Sequence, residues 1–217
     1  MHGTTEAMRG EQPELVWYAS YGSNMDAGRL RCYLEGGTPP GGRRSCPGCR
    51  DPRPPRRTTG HQVPGGIHFA TESQVWGGGR AFLDRALPGS AALRAYLVSG
   101  EQFADLVAQE MYREPGDDLD LREVLRTGVS RLGPGRYETL LRVGDLDGHP
   151  VLTFTAPFSS AEVTPVAPSA AYLRMLLAGL RDGQGWDADT AAGYLAGCPG
   201  ALGHWSPADI RALATNF

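Results

Sequence analysis

Leu15-Val16-Trp17-Tyr18-Ala19-Ser20, followed at once by Tyr21-Gly22-Ser23-Asn24, is a short apolar run of β formers that ends in a turn signal. Such a run, closed by a Gly-containing turn, reads as a buried strand. Asp26 then stands where an N-cap would open a helix to about Leu34, stopped by Gly36-Gly37. Gly22 lets the backbone turn sharply between strand and helix. Successive main-chain N–H groups in such a turn can face an anion or an oxyanion. Turns of this composition are common, so taken alone the tetrapeptide leaves a purely structural role open.

Working outward, 66–71 and 75–84 read as a hairpin around Glu72-Ser73-Gln74, and 94–98 as a further strand. Ser99 and Gln102 form a capping-box pattern that opens a helix to about Arg113. A shorter helix is expected over 119–125. Strands over 137–143 and 150–155 are joined at Asp147-Gly148, a hairpin-turn dipeptide. The remainder is helical, over 169–180 and 188–195, with a last helix capped by Ser206 and opened by Pro207. Strands followed by helices indicate an α+β fold. Residues 1–14 are polar and expected to be a disordered tail. The rest, 15–217, is expected to be a single domain interrupted by a Gly-, Pro- and Arg-rich loop at 37–64.

Composition narrows the chemistry. The 217 residues carry 21 basic and 24 acidic side chains, a formal net charge of −3, and every basic residue is Arg. Without Lys there is no Walker-type phosphate loop, no Schiff base, no pyridoxal-phosphate anchor and no lysine general base. The weak negative charge gives no reason to expect nucleic acid or an anionic membrane as partner. The segment 1–14 lacks the apolar stretch of a secretion leader. No apolar run approaches the roughly 20 residues of a membrane span, so a cytoplasmic location is expected.

The helix from Ser99 carries Phe103, Leu106, Val107 and Met111 on one face, and Glu110 falls on that same face. A carboxylate on an inward stripe must be paired, protonated or poised. Desolvation would raise its pKa and suit it to proton transfer near neutral pH. A helix-end Glu that reaches solvent or pairs with an Arg is the alternative.

The ordered set of Tyr21 to Asn24 after an apolar strand, Val75-Trp76-Gly77 opening a later strand, a helix bearing an inward Glu110, and Arg136-Tyr137 heading a strand resembles the gamma-glutamylcyclotransferase family. The resemblance covers roughly 15–181. It implies the small mixed β-barrel-like sheet flanked by helices that the AIG2-like proteins share. It also implies a reaction, attack of a free α-amine on its own γ-glutamyl amide to release 5-oxoproline and an amine. Glu110 would be the catalytic acid/base, and Tyr21, Gly22, Ser23, Asn24, Trp76 and Tyr137 would line the substrate site. Such a transferase or lyase needs no cofactor and no metal; its partner is a small γ-glutamyl substrate or a modified intermediate. Met111 stands where family members commonly place Gly. The stretches 37–64 and 110–137 are longer than usual, which points to a γ-glutamyl group on something larger. A non-catalytic binding or interaction module of the same fold is the alternative.

Other features have competing readings. Glu72 lies near a turn and is expected to face solvent; His68, in the same strand, is a structural or a substrate-binding residue. Gly77-Gly78-Gly79 lacks dinucleotide-loop spacing and implies close approach of the backbone to a strand or a ligand. Cys46-Pro47-Gly48-Cys49 has the spacing of half a zinc site or a redox pair, or is two ordinary thiols. Arg43, Arg44, Arg50, Arg53, Arg56 and Arg57 face one acid, Asp51, between 43 and 57. They read as a solvated segment, as a lid that clamps carboxylates, or as a patch for an acidic partner.

Overall fold

The computed structural model describes residues 12–39 and 45–215. Strand β1 (Leu15–Ser20) sits inside a six-stranded sheet, next to β5 (Ser90–Ser99) on one side and β8 (His149–Thr155) on the other. Beyond β5 lies β2 (Arg57–Pro64); beyond β8 lie β7 (Thr139–Leu146) and β6 (Val129–Arg131). The β1–β8 pair is parallel, with Trp17 opposite Val151, and all other neighbours are antiparallel. A separate ribbon pairs β3 (Gly66–Glu72) with β4 (Gly79–Asp84). The fold is α+β with a mixed sheet flanked by helices, and the sheet is open, its edges being β2 and β6.

The unbroken apolar run of β1 follows from its place in the sheet, because a strand covered on both faces has no side to leave polar. Trp17 and Ala19 pack with Leu173, Leu176 and Leu180 of α4 (Ala170–Gln184) and with Ala191 and Leu195 of α5 (Ala188–Gly197). Val16 and Tyr18 point the other way, onto Leu30 and Leu34 of α1 (Ala27–Glu35) and Phe103, Leu106 and Val107 of α2 (Gly100–Glu110). Helix α3 (Arg122–Thr127) adds Val124 to that second core, and α6 (Pro207–Ala212) adds Ile210 to the first.

The helix starts behave as their sequences require. Asp26 accepts from Arg29 N at 2.8 Å, Ser99 and Gln102 close a capping box, and Ser206 and Asp209 close another. Asp147 and Gly148 both take positive φ, the conformation a two-residue hairpin turn needs.

Two expectations need correction. The predicted irregular stretch 37–64 contains regular structure, since Arg57–Pro64 pairs with β5 along its whole length. As an edge strand it keeps one row of side chains in solvent, so Thr58-Thr59-Gly60-His61-Gln62 shows no apolar alternation. Likewise β6, three residues long, carries no signal its length could support. Of the tail expected over 1–14, residues 1–11 lie outside the described residues, and the Glu14 carbonyl accepts from Gly100 N at 3.1 Å. Among the described residues no helix is long and apolar enough to cross a membrane.

Candidate active site

The turn after β1 begins a single 3-10 turn, Ser23–Met25, whose Gly22 and Ser23 carbonyls accept from Met25 N and Asp26 N. Its position is fixed from beneath, because the Tyr96 hydroxyl donates to the Asn24 carbonyl at 2.9 Å. The Asn24 side chain turns across to α2, and its Nδ2 donates to Glu110 Oε1 at 2.9 Å. The same nitrogen lies 3.3 Å from the Tyr18 hydroxyl. Thus the turn and the helix, far apart in sequence, meet at one carboxylate.

Glu110 is the last residue of α2, so its carboxylate sits at the negative end of the helix dipole. Its residue surface is partly open to a cleft while protein atoms crowd its carboxyl end. Burial pushes its pKa above the ordinary glutamate value. The Arg29 guanidinium, then Tyr33, Asn24 and Arg80, pull in the opposite direction without cancelling the rise. A carboxyl group in this setting can hold a proton closer to neutrality and can still release it.

The cleft in front of Glu110 encloses about 90 Å³. Arg29 and Tyr33 project into it from successive turns of α1, Trp76 from the turn between β3 and β4, Arg80 from β4, and Tyr172 from the first turn of α4. Trp76 stacks on Tyr172, with ring centroids 5.9 Å apart, and Arg29 lies over the Trp76 ring at 5.1 Å. Pro39, Ser45, Cys46 and Pro47 form the far wall. A second chamber of about 40 Å³ lies against Gly22, Ser23 and Asn24. Ser23, Glu110, Tyr137 and Tyr172 line both spaces.

The residues expected at the site therefore come together, in different ways. Glu110, Ser23, Trp76 and Tyr137 all line the cleft. Tyr21 and Gly22 line the smaller chamber, but the Tyr21 hydroxyl is committed to the Phe154 carbonyl at 2.7 Å. Tyr137 donates to the Ala81 carbonyl at 3.1 Å and precedes its strand by two positions. Gly22 is tightly placed, since a Cβ there would lie 3.3 Å from the Tyr172 hydroxyl. Arg29, Tyr33, Arg80 and Tyr172 were not legible as site residues. The available signal was the i, i+4 spacing of Arg29 and Tyr33 on the helix that follows the turn.

Competing features settle elsewhere. Glu72 is exposed at the end of β3, and its carbonyl accepts from Arg80 Nη2. His68 is buried between Phe82 and Phe158, and burial lowers its pKa against the pull of Asp84. The glycine run meets a strand-like segment, Gly78 bridging Pro168, and a Cβ on Gly79 would stand 2.0 Å from the Val166 carbonyl oxygen. The Cys49 thiol donates to the Tyr33 carbonyl, and burial, with Asp105 next, pushes its pKa up to about 12, the opposite of a reactive thiolate. Among the described residues no three His, Cys, Asp or Glu side chains are grouped to hold a metal ion.

Of the arginine-rich stretch, Arg43 and Arg44 lie outside the described residues. The others form ion pairs within the chain: Arg50 with Asp105 and Asp118, Arg53 with Asp51, Arg56 with Glu14 and Arg57 with Asp147. Arg50, Arg56 and Arg57 reach residues outside the segment, whereas Arg53 pairs within it.

No family model matches the chain. Histone deacetylase 5 of Arabidopsis thaliana is 32% identical over 198 residues, covering 83% of this chain. The chain spans about 30% of the length of that protein. Among solved structures, a crystal structure of an uncharacterized protein from Homo sapiens is 14% identical with a TM-score of 0.46, over 79% of this chain and 81% of that one. A gamma-glutamyl cyclotransferase is 13% identical at the same TM-score of 0.46, over 94% of this chain and all of that one.

Proposed function

We propose that the protein is a gamma-glutamylcyclotransferase-like enzyme that converts a γ-glutamyl amide into 5-oxoproline and a free amine. The observation that carries this reading is the Asn24 Nδ2 to Glu110 Oε1 hydrogen bond, which joins the Tyr21 to Asn24 turn to an inward carboxylate at the meeting point of two chambers. The γ-glutamyl group occupies the smaller chamber, with its oxygens toward the main chain of Gly22 to Asn24. Glu110 accepts a proton from the α-ammonium, freeing the nitrogen lone pair. That nitrogen attacks the γ-carbonyl carbon, closing a five-membered ring. Glu110 returns that proton to the departing nitrogen as the original C–N bond breaks. The ring nitrogen, cationic after attack, gives up its second proton by the same carboxylate to the released amine, which leaves as an ammonium ion. The nucleophile is tethered to its target, so orientation supplies much of the rate. Donors aimed at the developing oxyanion supply more.

The test is mass spectrometry of a γ-glutamyl compound panel incubated with the protein. Wild type is expected to release 5-oxoproline with loss of the amine, and folded Glu110→Gln is expected to release none. Full turnover by that variant would refute the mechanism. No product from any compound would favour a binding module built on the same two chambers.

A further inference from the structure

His68 and Asp84 are a buried titratable pair that the proposed mechanism does not use. They stand on one face of the β3–β4 ribbon, His68 opposite Phe82 and Asp84 two positions further along β4. They are 2% and 8% exposed. Nε2 of His68 is buried and has no hydrogen-bond partner. Among the described residues no carboxylate comes within ion-pair distance of the ring. Phe82 and Phe158 flank it, with ring centroids 5.7 and 6.4 Å away.

Asp84 is committed elsewhere. Its Oδ2 accepts from Ser160 N at 2.7 Å and from Ser160 Oγ at 2.8 Å, and its Oδ1 accepts from Ala86 N at 2.8 Å. The two bonds from Ser160 fasten a strap, 156–163, across the ribbon face. Phe158 and Val163 of the strap close a small apolar cluster with Ala70, Phe82 and Tyr137. Tyr137 packs on Phe82, with centroids 5.3 Å apart, and lines both chambers of the site. Strap, histidine and site tyrosine thus meet on the Phe82 ring.

A neutral imidazole suits this apolar setting and an imidazolium does not. Burial lowers the His68 pKa, and Asp84 opposes the fall without cancelling it. The other charged groups on the surrounding elements are engaged or turned away. Arg80 of β4 donates to the Glu72 carbonyl, and Glu162 of the strap accepts from Ser159. Glu72, on the same strand as His68, is exposed, and Arg131 of β6 acts on Glu162. With the strap lifted, the ring meets water and regains the ordinary histidine pKa of about 6.5. The closed form therefore binds fewer protons than the open one, so closure weakens as pH drops below that value.

We propose that His68 is an acid-sensitive latch, whose protonation releases the 156–163 strap, loosens Tyr137 and so lowers activity. The link to activity rests on the proposed reaction, whereas the latch itself can be measured without turnover. Hydrogen exchange read by mass spectrometry would compare wild type, His68→Phe and His68→Gln at about pH 7.5 and about pH 5.5. Each rate would be divided by the intrinsic rate at that pH. In wild type the 158–163 amides are expected to lose about tenfold in protection in acid, the effect of one pKa unit between closed and open forms. Strand β1 should keep its protection. Neither variant should show the loss, because neither replacement titrates in this range. Unchanged protection in wild type, or the same loss in a folded variant, would overturn the latch. For turnover, the kcat/KM ratio between the two pH values would be compared. Acid should reduce it about threefold less in the variants than in wild type. Equal reductions would overturn the link to activity. Acid loss of strap protection in a protein that turns over no γ-glutamyl compound would support the latch and count against the proposed reaction.

Discussion

The Gln109 side-chain amide donates to the Tyr33 carbonyl at 2.9 Å, which locks the last turn of α2 to the end of α1. The residue beside Gln109 is Glu110, and the side chain of Tyr33 faces that carboxyl group. One amide therefore sets the distance between the proposed proton carrier and the helix that supplies Arg29. Gln109→Leu should lose about 1–2 kcal/mol of stability, the ordinary cost of deleting a buried hydrogen-bond donor. It should also lower turnover several-fold with little change in KM. Urea unfolding and steady-state kinetics on one preparation would separate the two effects.

The pH profile offers an independent check. Burial holds Glu110 above the ordinary glutamate range, and Asn24 and Tyr33 act to lower it. If the ionised form accepts the substrate proton, the acid limb of kcat/KM should lie above about 4.3, the ordinary glutamate value. Asn24→Ala and Tyr33→Phe each remove a group that favours the charged form, so each should move that limb to higher pH. Movement to lower pH in either variant would contradict the electrostatic picture.

The same carboxyl group should weaken the fold in alkaline solution. Its folded pKa is raised above the unfolded value, so folding with Glu110 ionised is penalised once pH exceeds the unfolded pKa. Glu110→Gln removes this penalty and keeps an acceptor for Asn24. Relative to wild type it should gain thermal stability at pH 8, with the gain shrinking toward pH 4. Melting temperatures measured at both values would reveal a pH-independent difference if the penalty were absent.

The glycine run can be dissected residue by residue. Gly79→Ala would place a methyl group 2.0 Å from the Val166 carbonyl oxygen, so backbone must shift. Overpacking of this kind costs about 1–3 kcal/mol or more. Gly77 has φ 69° but nothing within 4 Å of a Cβ, so Gly77→Asn should be tolerated at about 1 kcal/mol or less. Comparable destabilisation by the two changes would contradict the close packing of β4 on the 165–168 segment.

Asp105 is fully buried and accepts from Arg50 N at 2.8 Å and Arg50 Nε at 3.0 Å. Asp105→Ala should cost about 1–3 kcal/mol, since it removes the buried acceptor that pins Arg50 N and the Cys46 to Cys49 turn against α2, while the guanidinium keeps Asp118 and Glu101. Limited proteolysis should then cut within 45–56 before any other described segment.

Much of this architecture was legible because its signals are local. Asp26, the Ser99–Gln102 box, Ser206 and Asp147-Gly148 each act within four residues, and each forms what its chemistry requires. Glu110 could be singled out because a carboxylate interrupted an apolar stripe. Arg29 and Arg80 could not, since an arginine on a short helix or strand reads as solvent-facing until the surrounding elements close over it. Strand β2 escaped for the converse reason: its pairing with β5 is made by main chain, to which side-chain patterning is blind. The arginine-rich stretch drew attention by its density, but the arginines described there serve ion pairs, and the unpaired ones lie elsewhere.

The parallel pairing of β1 with β8 also has a kinetic consequence. Strand β1 must wait for β5 and then for β8, each far downstream, before both its edges are covered. Until then a six-residue apolar segment of high β propensity stays available to other chains. Folding should accordingly be slow, dominated by non-local contacts, with aggregation of the nascent chain as its principal competitor. A charge placed in β1 to suppress that competitor would strike the strand that leads into the Tyr21 to Asn24 turn, so solubility in this molecule is bound to the integrity of its proposed chemistry.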